Sequence, residues 1–181
     1  MKDCHGHAAH GGGSGRRQFL QRVVLGGGVS LLAASPWGGA VASGGKVDAL
    51  LLSCMDYRLI DDIERYMAGR GMKNCYDHVI LAGASLGAIT DKFPAWNKTF
   101  WEHLDIAIKL HGIHTVMIMD HRDCGAYKVI LGPDHTESAE REHATHRSQL
   151  ARLRTLILER QPALKVETLL MGLDGRVEVV A

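Results

Sequence analysis

Thr115-Val116-Met117-Ile118-Met119-Asp120-His121-Arg122-Asp123-Cys124-Gly125 is the stretch that decides the fold. It begins as an apolar run of the kind found in a strand covered on both faces of a parallel sheet. It ends in a His and a Cys three residues apart, so one strand end delivers two soft, deprotonatable ligands to one point. A second apolar run, Ala49-Leu50-Leu51-Leu52-Ser53, ends in Cys54. Two sulfurs and one imidazole, each at the carboxyl end of a strand, make a tetrahedral zinc site with one position open.

Outward from these two strands the pattern alternates. Lys46 to Ser53 reads as the first strand. Leu59, Ile60, Ile63 and Met67 then recur at helical spacing until Gly69 and Gly71. Asp77 to Ala84 reads as a second strand running into the small-residue turn Gly83-Ala84-Ser85-Leu86-Gly87. Such a turn lets backbone approach a ligand, but it matches no phosphate-loop or dinucleotide fingerprint. Trp96, Phe100, Leu104 and Ile108 mark an amphipathic helix ended by Gly112, with its aromatic stripe in the core or a subunit interface. His114 to Met119 is the third strand, and Gly125 to Lys128 starts a short helix ended by Gly132-Pro133. Asp134 to Arg147 is polar, and its His143 and His146 read as a solvated face and not as a metal site. Leu150, Leu153, Leu156 and Ile157 complete a helix. Lys165 to Met171 is a fourth strand, and Asp174-Gly175 turns the chain into a last strand over Arg176 to Val180. The predicted fold is therefore α/β: a mostly parallel sheet of about four strands, helices on both faces, right-handed crossovers and a C-terminal hairpin strand. Sites in such sheets form beyond the carboxyl ends of the strands.

The 181 residues suffice for one domain with a real core. A net charge of +1 and no basic stripe speak against nucleic-acid binding. Four cysteines are too few for a disulfide framework. The amino-terminal residues 1–42 read as an export signal. Arg16-Arg17-Gln18-Phe19-Leu20 precedes a short, glycine-diluted apolar run, and Ala40-Val41-Ala42 offers a cleavage site. The arginine pair is of the twin-arginine type, read by an export machinery that carries folded proteins. The run is too short to span a bilayer. The expected mature domain, residues 43–181, has a net charge of −2, because cleavage removes four of 21 basic and one of 20 acidic residues. Its expected location is the periplasm or the extracellular space. Cys4, His5, His7 and His10 form a metal-capable tract, read as part of the discarded leader.

Beside Cys54 stands a second pattern. Asp56 lies two residues on and can reach the metal or its water; Arg58 can pair with Asp56 through a planar fork that keeps the carboxylate ionised and aimed. Three-ligand zinc lowers the pKa of a bound water to about 7, and two thiolates leave the site formally neutral, which suits a small uncharged substrate. The alternatives are a closed structural zinc site or three buried residues without metal. A structural site wants a fourth Cys or His, and Cys75 precedes the second strand, at the wrong end.

Cys54-Met55-Asp56-Tyr57-Arg58 and His121-Arg122-Asp123-Cys124-Gly125 resemble the C-x-D-x-R and H-x-x-C-G motifs of the β-class carbonic anhydrases. The resemblance runs from about Ala49 to the last hairpin and suggests a divergent, short, exported member. It implies a lyase that hydrates carbon dioxide reversibly to bicarbonate, with Zn2+ on Cys54, His121 and Cys124, zinc hydroxide as nucleophile and Asp56 with Arg58 as the catalytic dyad. It also implies a homodimer or a multiple of dimers, and a closed form in which the aspartate takes the fourth zinc position. Hydrolysis of carbonyl sulfide or carbon disulfide on the same site is the alternative among enzymes, and a non-catalytic zinc protein the alternative outside them. The family's Arg-Asn-Ala-Gly-Asn run is here Ile80-Leu81-Ala82-Gly83-Ala84, which keeps only the Ala-Gly centre. Almost nothing stands between Ser43 and Lys46 where the family has a helical arm, so a smaller or differently arranged dimer is expected.

Overall fold

The computed structural model describes residues 47–180. The export signal, its Cys/His tract and Lys46 lie outside the described residues. The first strand, β1, spans Ala49–Ser53 and is buried along its whole length. After a single 3-10 turn at Tyr57–Leu59 comes helix α1, Ile60–Gly69. Strand β2, Tyr76–Ile80, is followed by the short helix α2, Ala84–Gly87, and the long helix α3, Pro94–His111. Then come β3, Thr115–His121, and α4, Gly125–Leu131. Helix α5, Ala139–Arg160, β4, Lys165–Met171, and β5, Val177–Val179, close the chain.

The five strands form one sheet in the order β2-β1-β3-β4-β5. The first four are parallel and β5 runs antiparallel to β4. Side chains alternate across a strand, so the sheet builds two cores. Leu50, Leu52, Val116, Ile118 and Leu170 pack with Phe100, Leu104, Leu150 and Leu153 of α3 and α5. Ala49, Leu51, Met117, Met119 and Leu169 pack with Leu59, Ile63 and Met67 of the α1 region. The expected α/β architecture with helices on both faces is thus the observed one.

Several strand boundaries and one burial reading differ from the sequence expectation; strand β3 covers Thr115 to His121 where His114 to Met119 was expected. Strand β1 starts at Ala49. Strand β2 stops at Ile80, because Leu81 donates its N–H to Ser53 and the chain then turns, with Ala84 N–H bonded back to Leu81 O. Strand β5 is trimmed to three residues. The burial reading concerns the polar stretch read as solvated. Ser138 caps α5 by accepting the Arg141 N–H at 3.1 Å, so the helix begins at Ala139. Glu142, His146, Leu150, Leu153 and Ile157 then share one inward face, and His146 is 0% exposed. The reading of His146 as solvated is therefore corrected: polar residues at the core positions of the first two turns hid the helical period.

Among the described residues no helix is long and apolar enough to cross a membrane. The aromatic stripe of α3 serves the core: Phe100 is fully buried and Trp96 stacks on Phe93 with ring centroids 4.1 Å apart. Leu104 is fully buried on α3, whereas Ile106 on the same helix is mostly exposed. Leu104→Ala should lower the unfolding free energy by about 2–5 kcal/mol, and Ile106→Ala should change it by about 0.5 kcal/mol or less. Urea titration of the two variants checks both values.

Candidate metal centre

Sheet topology places the site. The chain winds from β1 to β2 on one side and returns to β3 on the other, so a crevice opens at the carboxyl ends of β1 and β3. Ser53 pairs in register with Met119, and β3 runs two residues further, to His121. Cys54 leaves β1 at this level and Cys124 is the N-cap of α4. Cys54, His121 and Cys124 are all buried, and their ligand atoms lie within 4.8 Å of one another. Among the described residues no other such group of three His, Cys or acidic side chains occurs.

The donor set fits a tetrahedral metal. Two sulfurs each about 2.3 Å from a tetrahedral zinc stand about 3.8 Å apart; those of Cys54 and Cys124 are 3.9 Å apart. His121 Nδ1–H donates to Arg122 O at 2.8 Å, which leaves the Nε2 lone pair free. That Nε2 is buried and has no hydrogen-bond partner. A buried nitrogen without a partner is costly, and a metal ion among the three groups would satisfy it. Cys54 is the more acidic sulfur, held down to about 4: the Cys124 thiol donates to it, and His121 and the Gly83 N–H add to this against the cost of burial. The Cys124 thiol is pushed up by donating to Cys54 and by burial. The small-residue turn after β2 does approach the site with its backbone. Gly83 takes the left-handed conformation at φ 76° and donates its N–H to Cys54 Sγ at 3.3 Å. A Cβ there would also stand 3.3 Å from that of Ala126, so glycine suits the position on both counts.

Asp56 and Arg58 form the expected fork. Arg58 Nε donates to Asp56 Oδ1 at 2.9 Å and Nη2 to Oδ2 at 2.7 Å, and the Arg58 N–H caps Oδ1 at 3.0 Å. Asp56 Oδ2 lies 3.8 Å from His121 Nε2, at the edge of the ligand set. The guanidinium beside it holds the Asp56 carboxyl down to about 2.

The sequence reading gave Asp123 and Glu142 no role. Arg58 has further donors, and Asp123 takes them: Nη1 donates to its Oδ2 at 3.0 Å and Nη2 to its carbonyl at 3.2 Å. Lys128 donates to the other Asp123 oxygen. Asp123 sits at φ 55°, a strained conformation that Asp tolerates better than most residues. Its N–H is fixed by Glu142 Oε1 at 2.6 Å. The available signal was the acidic residue inside H-x-x-C, opposite an arginine that has more donors than one carboxylate accepts.

An open cavity of about 370 Å³ adjoins the ligands, lined by Cys54, Asp56, Ala82, Phe93, Trp96 and Val129 among others. Its wall is mostly apolar. A larger groove of about 720 Å³, lined by Asp61, Glu64, Arg65 and His78 among others, shares no residue with the ligand set.

Residues 45–181 match the protein family described as "Putative carbonic anhydrase". The chain belongs to this carbonic anhydrase family. Uncharacterized proteins of Rickettsia conorii and Rickettsia bellii are 43% and 39% identical to it over 135 residues, each match covering 75% of this chain and 73% and 82% of the relatives. A tetrameric β-carbonic anhydrase of the ascomycete Sordaria macrospora shares its fold, with a TM-score of 0.52, at 15% identity, over 77% of this chain and 83% of that one. The member described here is thus divergent in sequence and keeps the β-carbonic anhydrase fold.

The Asp56–Arg58 pair has a direct signature. It stabilises the fold above the ordinary carboxylate pKa of about 3.9, and that contribution is lost as the pH falls towards about 2. At pH 3.5 the Asp56 carboxyl should be ionised in the wild type and substantially protonated in Arg58→Ala. The carbon-13 shift of the labelled carboxyl reads the difference.

Proposed function

We propose that this chain hydrates carbon dioxide reversibly to bicarbonate at a zinc ion held by Cys54, His121 and Cys124. The observation that carries this reading is the buried, unpartnered Nε2 of His121 beside two sulfurs at tetrahedral spacing, with the Asp56 carboxylate at its edge. A zinc ion bound there supplies a Lewis acid that acidifies water at neutral pH.

The chain's own groups do the rest. Asp56 Oδ2 accepts a hydrogen bond from the attacking water and aims it at the cavity. A carboxyl held down to about 2 is too weak a base to keep a proton at neutral pH; Asp56 therefore orients the nucleophile, and the proton leaves to solvent. Arg58, clamped between Asp56 and Asp123, fixes the direction of that carboxylate. Ala82, Phe93, Trp96 and Val129 offer an apolar wall that suits an uncharged linear substrate better than an anion. Two thiolates neutralise a divalent ion, so the product bicarbonate meets no strong net attraction and can leave.

We further propose a homo-oligomer. Tyr57, Val129 and Met55 are 83%, 69% and 65% exposed at the cavity mouth, a patch that a second copy of the chain would cover. Export by the twin-arginine route is part of the same proposal. A reporter fused to residues 1–42 should leave the cytoplasm, and the paired Arg16→Lys and Arg17→Lys changes should retain it.

Stopped-flow hydration of carbon dioxide by the purified protein, with zinc measured on the same sample, tests the reading. One zinc per chain with fast hydration is expected. Cys124→Ser should lose zinc, and Asp56→Asn should keep zinc and lose most turnover. Full zinc with no hydration, but with hydrolysis of carbonyl sulfide or carbon disulfide, would reassign the substrate. Full zinc with neither activity would make this a non-catalytic zinc protein.

A further inference from the structure

Asp120 is the last residue before the His121 ligand, and its side chain is 0% exposed. A carboxylate buried in an apolar strand is expensive unless donors surround it, and here four do. Ser85 donates its backbone N–H to Oδ1 at 2.9 Å and its hydroxyl to Oδ2 at 2.6 Å. Tyr127 donates its hydroxyl to Oδ2 at 2.5 Å, and His146 reaches the same oxygen through Nδ1 at 3.0 Å. The Ser85 and Tyr127 hydroxyls are themselves 2.9 Å apart, and the Tyr127 and His146 rings pack with centroids 4.1 Å apart. Ser85, Tyr127 and His146 are all fully buried. Among the described residues, the pocket that Asp120 lines with His121 and Met171 has no room for a water molecule, so the set is not built as a second catalytic centre.

Asp120 and its partners lead to each of the three proposed ligands and to the turn between two of them. Ser85 belongs to the turn whose Gly83 N–H holds the Cys54 sulfur. Tyr127 sits in the first turn of α4, the helix whose N-cap is Cys124. Asp120 is joined to His121 by a peptide bond. His146 ties in α5, whose Glu142 fixes Asp123 in the turn between His121 and Cys124. One buried carboxylate therefore reaches the surroundings of all three ligands, none of which it touches with its own oxygens.

We propose that Asp120 is a positioning residue for the metal centre: its four hydrogen bonds set where the Gly83 turn that holds Cys54 and the first turn of α4 that begins at Cys124 stand, and hence the angle at which the three ligands meet the ion. This rests on the metal reading above. Asp120 is not a ligand and takes no part in the chemistry. Groups of this kind around a metal site typically change affinity by about 10–100-fold when removed.

Asp120→Asn keeps the shape. With its oxygen at the three-donor position, its NH2 faces the Ser85 N–H, donor against donor. Tyr127→Phe removes one bond and adds no new polar atom. Both variants and the wild type are titrated with zinc against a competing chelator. Their cobalt(II) forms are then compared by the d–d bands and the thiolate-to-cobalt charge-transfer band. Leu153→Ala, a core change on α5 with no link to the network, is the control for mere loss of stability. The expected result is a loss of zinc affinity of about 10–100-fold in Asp120→Asn, a smaller loss in Tyr127→Phe, and altered d–d bands in both. Leu153→Ala should match the wild type in affinity and spectrum. Should Asp120→Asn fail to fold, Tyr127→Phe decides alone. Variants that bind as the wild type does, with an unchanged cobalt spectrum, overturn the inference and leave the metal centre standing. An equal loss in Leu153→Ala overturns it as well, because stability alone would then explain the effect. A wild-type protein that binds neither metal overturns the metal centre and this inference with it.

Discussion

Parallel pairing of β1 with β3, in the register Ser53 to Met119, brings Cys54 beside the end of β3 and leaves His121 at its tip. The three ligands come from two strand ends and one helix start. A one-residue slip in that pairing would send every β1 side chain to the other face. Burial opposes the slip: Leu50 and Leu52 belong to one core, and Ala49 and Leu51 to the other. The same two cores that hold the sheet together thus fix the spacing of the two sulfurs and the imidazole. The strand order makes the crevice available, because the chain changes winding direction between these two strands.

Around this core the polar groups are arranged in two layers with different exposure. The outer layer faces solvent: Asp56, Arg58, Asp123 and Lys128 form an alternating chain of charges over the cavity side of the site. Each contact there is screened by water and contributes modestly to stability; its value is directional, because a planar guanidinium held by two carboxylates cannot turn freely. The inner layer is dry. Asp120, Ser85, Tyr127 and His146 exchange hydrogen bonds where no water competes, so each bond is stronger and each missing partner costs more. Direction at the water side and rigidity at the protein side are both needed if the ligands are to keep an open position facing the cavity.

The sequence made the architecture legible because it is built from long, strongly patterned runs. Leu50-Leu51-Leu52 and Val116-Met117-Ile118-Met119 are unambiguous as buried strands, and the ligands sit at their ends. The three candidate ligands were legible although Cys54 and Cys124 are 70 residues apart, because each stands at or just after the end of a patterned run, and the Asp56–Arg58 fork because its members are two residues apart. What stayed hidden depends on contacts between distant segments. Arg58 and Asp123 are 65 residues apart, and Asp120 and His146 are 26 apart. The buried face of α5 begins with Glu142 and His146, and a hydropathy pattern reads both as outward. Asp120, like Asp123, was a clue in plain view: a carboxylate ending an apolar run needs donors, although the sequence does not say which.

The acidity of Asp56 bears on how such a site divides its labour. A carboxyl held down to about 2 by its guanidinium partner stays an anion through the whole range in which a zinc-activated water titrates. In the proposed mechanism, any change in rate near neutral pH would therefore belong to the zinc site and not to Asp56. The same pairing limits the alternative in which the aspartate itself binds the ion. To do so, Asp56 would have to give up the fork with Arg58, while Asp123, itself bonded by Lys128, holds that arginine in place from the other side. The charges on the outer layer thus bias Asp56 towards Arg58 and away from the Cys54, His121 and Cys124 group. In the proposed zinc site this outer pairing would keep the fourth position open as much as the ligands themselves would.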